Sequence, residues 1–333
     1  MPEKSWIGGW GTGRSRINFE FKIKMDLPKN LKLNLKKYRD LRYGENPHQK
    51  SAYYAERNDP GFEQLSGIEL SHNNLGDANH AWRLVCEFEA PTVAIIKHGN
   101  PSGICSKSNV AQAFKMAYGA DPVSAFGGIV AVNRTPIIDM VDAMRGIFFE
   151  LIVAPDFSKE VINALKKKST KIRVVKAKKP PNQLEFTRAF NGYLVQTPDI
   201  VAESESKWKV VSGKKPDKKT YRDLEFAWKV VKHVKSNAIV IARDLNMLGM
   251  GTGQPNRVNS VKLALDQAGS RARGAVLASD AFFPFEDSVE LAASAGISTI
   301  IQPGGSINDK RVILDAKKHG ITMVFTGVRH FKH

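Results

Sequence analysis

From residue 91 onward, short apolar runs alternate with amphipathic stretches, and no other feature of the chain limits its fold so tightly. "TVAIIKH", "GGIVAVN", "ELIVAP" and "IRVVKA" read as strands, while "NVAQAFKMAYG", "IIDMVDAMRG" and "KEVINALKKK" between them read as helices. Strands alternating with helices of this length are the rhythm of an α/β layer fold.

A Pro- and Lys-rich interval ("AKKPPNQ") and a polar one ("ESESKWKVVSGKKPDKK") interrupt the rhythm before it restarts. "FAWKVVKHVKS", "VNSVKLALDQAG", "SVELAASAG" and "KRVILDAKKHG" read as helices, and "AIVIARD", "GAVLASD", "STIIQP" and "ITMVFTG" as strands. "MLGMGTG" reads as a Gly-rich turn or strand. Two α/β units are expected, 26–200 and 201–333, joined near 190–220 and without a close sequence repeat between them. Residues 1–25 have no clear period and are expected to be a tail or an upstream extension, with Met25 an alternative start.

Composition narrows the class. The chain has no apolar run long enough to span a bilayer and no secretory-type N-terminus, so a soluble cytoplasmic protein is expected. Two cysteines, Cys86 and Cys105, cannot build a disulfide framework and form no Cys-x-x-Cys pair. Lys and Arg number 50 against 33 acids, a net charge of +17 that attracts polyanions, phosphates and polycarboxylates. The excess is concentrated in "KEVINALKKKSTKIRVVKAKK" and in Lys214, Lys215, Lys218 and Lys219. Neither run has interleaved aromatics, so nucleic acid is not the expected partner.

Ligands of open α/β sheets gather beyond the carboxyl ends of strands. The segments to inspect are therefore Lys97–His98, "SDAFFPFED" (279–287), "QPGGS" (302–306) and "RHFKH" (329–333), with "LRYGENPHQ" (41–49) ahead of them. Each has a plain alternative: a solvated Lys-His pair, core aromatics, an ordinary turn. "MGTGQ" lacks the Gly-x-Gly-x-x-Gly spacing of a dinucleotide loop. After Lys97 and His98, Gly99 with Asn100-Pro101 is expected to turn the chain sharply away.

Taken in order, "LRYGENPHQ", "IKHGNPSG", "DPVSAFGGIVA", "ELIVAP", "KSNAIV", "GTGQPNRV", "SDAFFPF", "AGISTIIQPGGS" and "FTGVRHFKH" resemble the AICAR transformylase (phosphoribosylaminoimidazolecarboxamide formyltransferase) half of the bifunctional purine-biosynthesis family. The resemblance covers about residues 26–333. The IMP cyclohydrolase half, normally N-terminal, has no counterpart here, so a stand-alone transformylase is expected. The resemblance implies formyl transfer from 10-formyltetrahydrofolate to the 5-amine of AICAR, giving FAICAR and tetrahydrofolate. It further implies two cytidine-deaminase-like three-layer α/β/α subdomains, a homodimer with sites at its interface, and a separate cyclohydrolase as a partner.

By the same resemblance His98 is the proton shuttle and Lys97 the charge beside it. Arg42, Tyr43 and Arg329 hold the nucleotide phosphate, and Gly127, Glu150, Asn237, Arg257 and Phe282 contact ribose, base and carboxamide. Pro284, Phe285, Asp287 and His333 fall on the folate side. Relatives carry hydroxyl residues around the "KSNA" asparagine, where this chain has Val234 and Ala238, so a potassium ion near Asn237 would depend on backbone carbonyls. The zinc signature of deaminases, His-x-Glu followed by Pro-Cys-x-x-Cys, is absent, and no zinc is expected. Two rival readings remain: a deaminase-like hydrolase acting without folate, and a non-catalytic nucleotide or RNA binder.

Overall fold

Uniformly apolar strands must be covered on both faces, and helices do the covering here. The computed structural model describes residues 27–56, 59–201 and 205–333; the expected tail at 1–25 lies outside them. An antiparallel ribbon of β1 (Leu35–Leu41) and β2 (Ser51–Glu56) comes first. Then follow β3 (Phe62–Ser66), α1 (His72–Val85), β4 (Thr92–Lys97), β5 (Asn100–Ser106), α2 (Val110–Ala120), β6 (Gly128–Val132), α3 (Ile138–Ala143), β7 (Phe149–Ala154), α4 (Lys159–Lys168) and β8 (Arg173–Ala177). A hairpin of β9 (Glu185–Ala189) and β10 (Gly192–Gln196) belongs to a separate compact unit. The chain continues through β11 (Lys209–Ser212), α5 (Lys218–Val231), β12 (Ile239–Arg243), β13 (Asn246–Gly251), α6 (Arg257–Ala268), β14 (Val276–Ser279), α7 (Asp287–Ser294), β15 (Thr299–Gln302), α8 (Asp309–Lys318) and β16 (Thr322–Phe325).

Twelve strands form one mixed sheet in the order β11-β16-β15-β14-β12-β13-β5-β4-β6-β7-β8-β3. Its strand directions read the same from either edge. β3–β8 and β11–β16 are antiparallel, β6–β7–β8 and β14–β15–β16 parallel, and the inner hairpins β4–β5 and β12–β13 antiparallel. The halves meet at β5–β13 through Cys105 and Asn246.

Both halves also run through the chain in the same order: strand, long helix, hairpin, helix, and then three strands separated by two helices. Residue alternation along β4 shows how the sheet is sandwiched. Ala94 and Ile96 join a core that includes residues of α1 and α5, and Val93 and Ile95 a core under α2, α3 and α4. A third core lies under α6, α7 and α8.

The doubling was not legible as a sequence repeat, yet single positions carry it. Asp77, Ala81, Trp82 and Val85 of α1 correspond to Asp223, Ala227, Trp228 and Val231 of α5. Asn100 and Gly103 of β5 correspond to Asn246 and Gly249 of β13, each partner lying 146 positions later, the separation of Glu87 and His233. Both glycines are required by close packing. A Cβ on Gly103 would lie 1.8 Å from the Ala117 carbonyl oxygen of α2, and one on Gly249 2.1 Å from that of Ala264 in α6.

One local expectation is corrected. Asn100-Pro101 is not the turn after Lys97, because Lys97 pairs with Asn100 and Ile96 with Pro101 as β5 begins. The turn is His98–Gly99, two residues at positive φ (51° and 74°), the conformation that matches the twist of a tight hairpin.

Candidate active site

Because the sheet is mixed, one of its ends collects the carboxyl ends of some strands and the amino ends of others. The pairing directions place the ends of β4, β13, β14, β15 and β16 there, together with the starts of β5, β6, β7, β8 and β12. The residues that follow strands are thus only part of this end of the sheet. Gly127, Glu150 and Asn237 stand at strand beginnings, next to residues that follow β4, β14 and β16.

Helix α1 ties this end together. Its start is fixed by Ser71 and Asn74: the Ser71 hydroxyl accepts from the Asn74 N–H at 3.2 Å, and the Asn74 side-chain oxygen accepts from the Ser71 N–H at 3.1 Å. Asn74, Asp77 and His80 then lie on one face, three residues apart. The Asn74 amide donates to Glu150 at 2.8 Å, Asp77 accepts from the Gly99 N–H at 2.7 Å, and His80 Nε2 lies 2.9 Å from Lys332 Nζ. From Asn74 to His80 is roughly 9 Å along the helix. The Glu150 contact and the C-terminal segment are therefore held by one short stretch of rigid backbone.

On the side of β6 and β7, Glu150 is half-buried and paired with Arg173 at 3.7 Å; Arg173 itself is buried and donates to the Glu69 carbonyl at 2.9 Å. Burial lowers the Arg173 pKa, opposed by the charge of Glu150. Arg42 is exposed, with its guanidinium 5.6 Å from the Tyr43 ring, and the Tyr43 carbonyl accepts from the His72 N–H at the start of α1 at 3.1 Å. Lys97 is half-buried at the end of β4 and donates to the Gly127 carbonyl at 3.3 Å. Gly127 has φ 68°, and a Cβ there would stand 3.1 Å from Lys97 Nζ. His98 is exposed at the hairpin tip.

On the side of β12 and β14, Arg257 is buried and held by several protein partners. It bonds Asp280, Ser279 Oγ (2.9 Å) and the Asn237 side-chain oxygen (2.5 Å). Its guanidinium orients Asn237, whose amide donates to the Gln254 carbonyl at 2.8 Å. Ser236 bonds both Asp280 and the Lys332 N–H, and the His330 N–H donates to the Asp280 carbonyl at 2.9 Å, which fastens the C-terminal segment to the sheet. Arg329 is exposed within that segment, 4.8 Å from the Phe331 ring centroid, and the His333 ring lies 5.8 Å from the same ring. Thr252 Oγ1 donates to Asn100 at 2.9 Å, connecting the β13 end to the β4–β5 hairpin.

The "SDAFFPFED" loop divides its aromatics. Phe283 is fully buried and its N–H is held by Gln302, whereas Phe282 is half-buried and Phe285 is 54% exposed. The Pro284 carbonyl accepts from Asn308, and Asp287 opens α7. Asn74, Asp77, His80 and Arg173 escaped the sequence reading, and Asp280 and Lys332 lay in inspected segments without being singled out. Only the Ser-x-x-Asn box before α1 and the Asp-x-x-x-Ala-Trp string shared with α5 could have drawn attention to two of them.

Two imidazoles near this end are held neutral. Burial first, then the charges of Lys332 and His233, push His80 down to about 3. Burial likewise takes His233 down to about 4, against a hydrogen bond to Glu87. Burial would raise Glu87, but His233 and Lys232 outweigh it and hold it at about 2. Among the described residues no group of three or more His, Cys, Asp or Glu is arranged to hold a metal ion.

One end of a duplicated α/β sheet thus carries exposed arginines, a Lys-His pair and an exposed aromatic. The family described as the AICARFT/IMPCHase bienzyme matches residues 15–267. The "bifunctional purine biosynthesis protein PurH" of Thermoanaerobacter sp. (strain X514) is 47% identical over 317 residues, covering 94% of this chain and 62% of its own length. That of Bacillus cytotoxicus is 49% identical over 313 residues, covering 92% and 61%. The chain belongs to the AICARFT/IMPCHase family and spans about three fifths of the length of these relatives. A solved structure of Acinetobacter baumannii RibD (form 2) overlaps 32% of this chain and 35% of its own, with 18% identity and a TM-score of 0.25, too slight a likeness to carry an argument.

Proposed function

We propose that the chain is an AICAR transformylase of purine biosynthesis: it moves the formyl group of 10-formyltetrahydrofolate onto the 5-amine of AICAR, giving FAICAR and tetrahydrofolate. The chemistry explains the residues. An arylamine conjugated to a carboxamide is a weak nucleophile, so the reaction needs a proton acceptor at the amine and positive charge at the developing oxyanion. His98, exposed on a fixed hairpin tip, is the acceptor, and Lys97 one residue before it supplies the charge. Arg42, Tyr43 and Arg329 take the phosphate, for which a guanidinium fork makes two charge-assisted bonds. Glu150 accepts from the ribose hydroxyls, Gly127 and Phe282 border the base, and Asn237, oriented by Arg257, reads the carboxamide. Pro284, Phe285, Asp287 and His333 form the folate side, the exposed Phe285 stacking on the pterin.

The observation that carries this reading is the His98–Gly99 hairpin. It carries Lys97 and His98 in succession and is joined through α1 to Glu150 on one side and to Lys332 on the other. The two topologically matching halves support two deaminase-like subdomains, divided near residue 200. Working as a cytoplasmic homodimer, with a cyclohydrolase drawing off FAICAR and potassium beside Asn237, completes the proposal. The test is direct. With AICAR and 10-formyltetrahydrofolate the purified chain should release tetrahydrofolate stoichiometrically with FAICAR, and no turnover under dimer-forming conditions would refute the assignment.

A further inference from the structure

The hairpin tip that carries His98 is clamped by a helix carboxylate, and the molecule contains its own control for what that clamp does. Asp77, the sixth residue of α1, accepts from the Gly99 N–H at 2.7 Å, and the neighbouring His98 N–H also favours its charged form. In the other half Asp223, the sixth residue of α5, accepts from both turn amides, Asp244 N–H at 3.0 Å and Leu245 N–H at 2.8 Å. Asp244 and Leu245 sit at φ 55° and 56°, so both turns place two successive residues at positive φ. A tight turn at positive φ leaves its amides pointing out of the ladder, and a carboxylate that collects them fixes the tip.

The two sites differ in what surrounds them. Asp223 is nearly fully buried, and its turn carries a surface ion pair between Asp244 and Lys219. Asp77 is approached by the charged groups Lys97 and His98 of the β4 hairpin, while His80, one turn further along α1, is the residue that meets His233, Lys235 and Lys332. Burial raises its pKa, while the Gly99 and His98 amides and the charges of His98 and Lys97 act to keep it ionised.

We infer that Asp77 is a positioning residue for the reaction: its carboxylate fixes the His98–Gly99 tip, and thereby the imidazole, over the bound nucleotide. This rests on the transformylase reading for its kinetic consequence, but the clamp itself does not. Backbone fixation matters because a displacement of about 1 Å in a reacting group costs on the order of 10²-fold in rate.

The experiment compares Asp77→Asn with Asp223→Asn in the full chain, reading melting temperature, kcat and the KM for AICAR, and hydrogen exchange of the Gly99 amide in glycine-labelled protein. For Asp77→Asn, we expect faster Gly99 exchange and a kcat lower by about 10- to 100-fold. KM for AICAR stays within about threefold, because the clamp touches no ligand. Asp77→Glu, which keeps the charge, recovers part of the kcat. Asp223→Asn lowers the melting temperature and leaves kcat within about twofold, since its turn carries no reacting group. Unchanged Gly99 exchange in Asp77→Asn overturns the clamp, and so does unchanged kcat despite faster exchange, or an equal kcat loss in both variants. Absence of turnover in the unaltered chain would sink the transformylase reading instead, and the exchange arm would still decide the clamp.

Discussion

The two halves of the sheet place the same tight turn at the same point of the same topology, yet only one of the two turns bears a Lys-His pair. In the first half the turn is His98–Gly99, and in the second Asp244–Leu245. Each is followed by Asn, each Asn is followed three positions later by a glycine against a helix, and each turn is held from a fourteen-residue helix by its sixth residue. The scaffold is therefore duplicated, while the side chains at the two tips differ. Since the two hairpin strands β4 and β12 run in opposite directions, their tips lie at opposite ends of the sheet. Only the first tip shares an end with Asn237, Asp280 and the C-terminal segment.

The sharpest way to break that contrast is at the tips themselves. His98→Ala should cut turnover by about 10²- to 10⁴-fold with AICAR affinity nearly unchanged, whereas Asp244→Ala should leave turnover within about twofold. Steady-state kinetics with binding titrations check both, and equal losses would mean the halves are not functionally distinct. The packing glycines test likeness instead of difference. Gly103→Ala and Gly249→Ala should each destabilise by about 3 kcal/mol or prevent folding, because backbone, not a movable side chain, occupies the space. Urea unfolding should find the two costs similar.

A smaller effect comes from pH. His80 and His233 are held at about 3 and about 4 in the folded chain, below the ordinary imidazole value near 6.5. The unfolded chain therefore binds more protons below pH 6.5. Stability is full above that value and falls as the pH drops toward 4 and then 3, on the order of 1 kcal/mol per pH unit for each imidazole. Melting temperatures across pH 4–7.5 should show the slope, and His80→Gln should flatten it. Smallest is Gly99→Ala, which forces a Cβ into positive φ without meeting any atom closer than 3.8 Å, and should cost about 1 kcal/mol in denaturant unfolding. Leu245 already bears that cost in the second turn.

Much of the architecture was legible. The helix read at "KEVINALKKK" matches α4 end to end, and the apolar runs from "TVAIIKH" to "ITMVFTG" became β4, β6, β7, β8, β12 and β14 to β16. Short strands with few apolar residues escaped, among them β3, the β1–β2 and β9–β10 ribbons, β11, and β5, whose start reads as a turn. The start of α5 was also missed, because Lys218 to Arg222 look like the end of a polar linker. Phe226, Trp228 and their neighbours bury only one face of it. At the site, the motif residues Lys97, His98, Gly127, Glu150, Asn237 and Arg257 were picked out, but Arg257's engagement with Asp280 and the roles of Asp77 and Lys332 were not.

The sequence alone determined the strand–helix alternation, the cationic balance and the family, because burial patterns and ordered motifs are properties of neighbours along a chain. Only the tertiary structure decided that residues 98 and 332, separated by most of the molecule, are held by one helix face. It also decided that the halves are copies, and that amino and carboxyl ends of strands share the candidate site. Pairing direction and register join residues far apart in the chain, and no local window contains them.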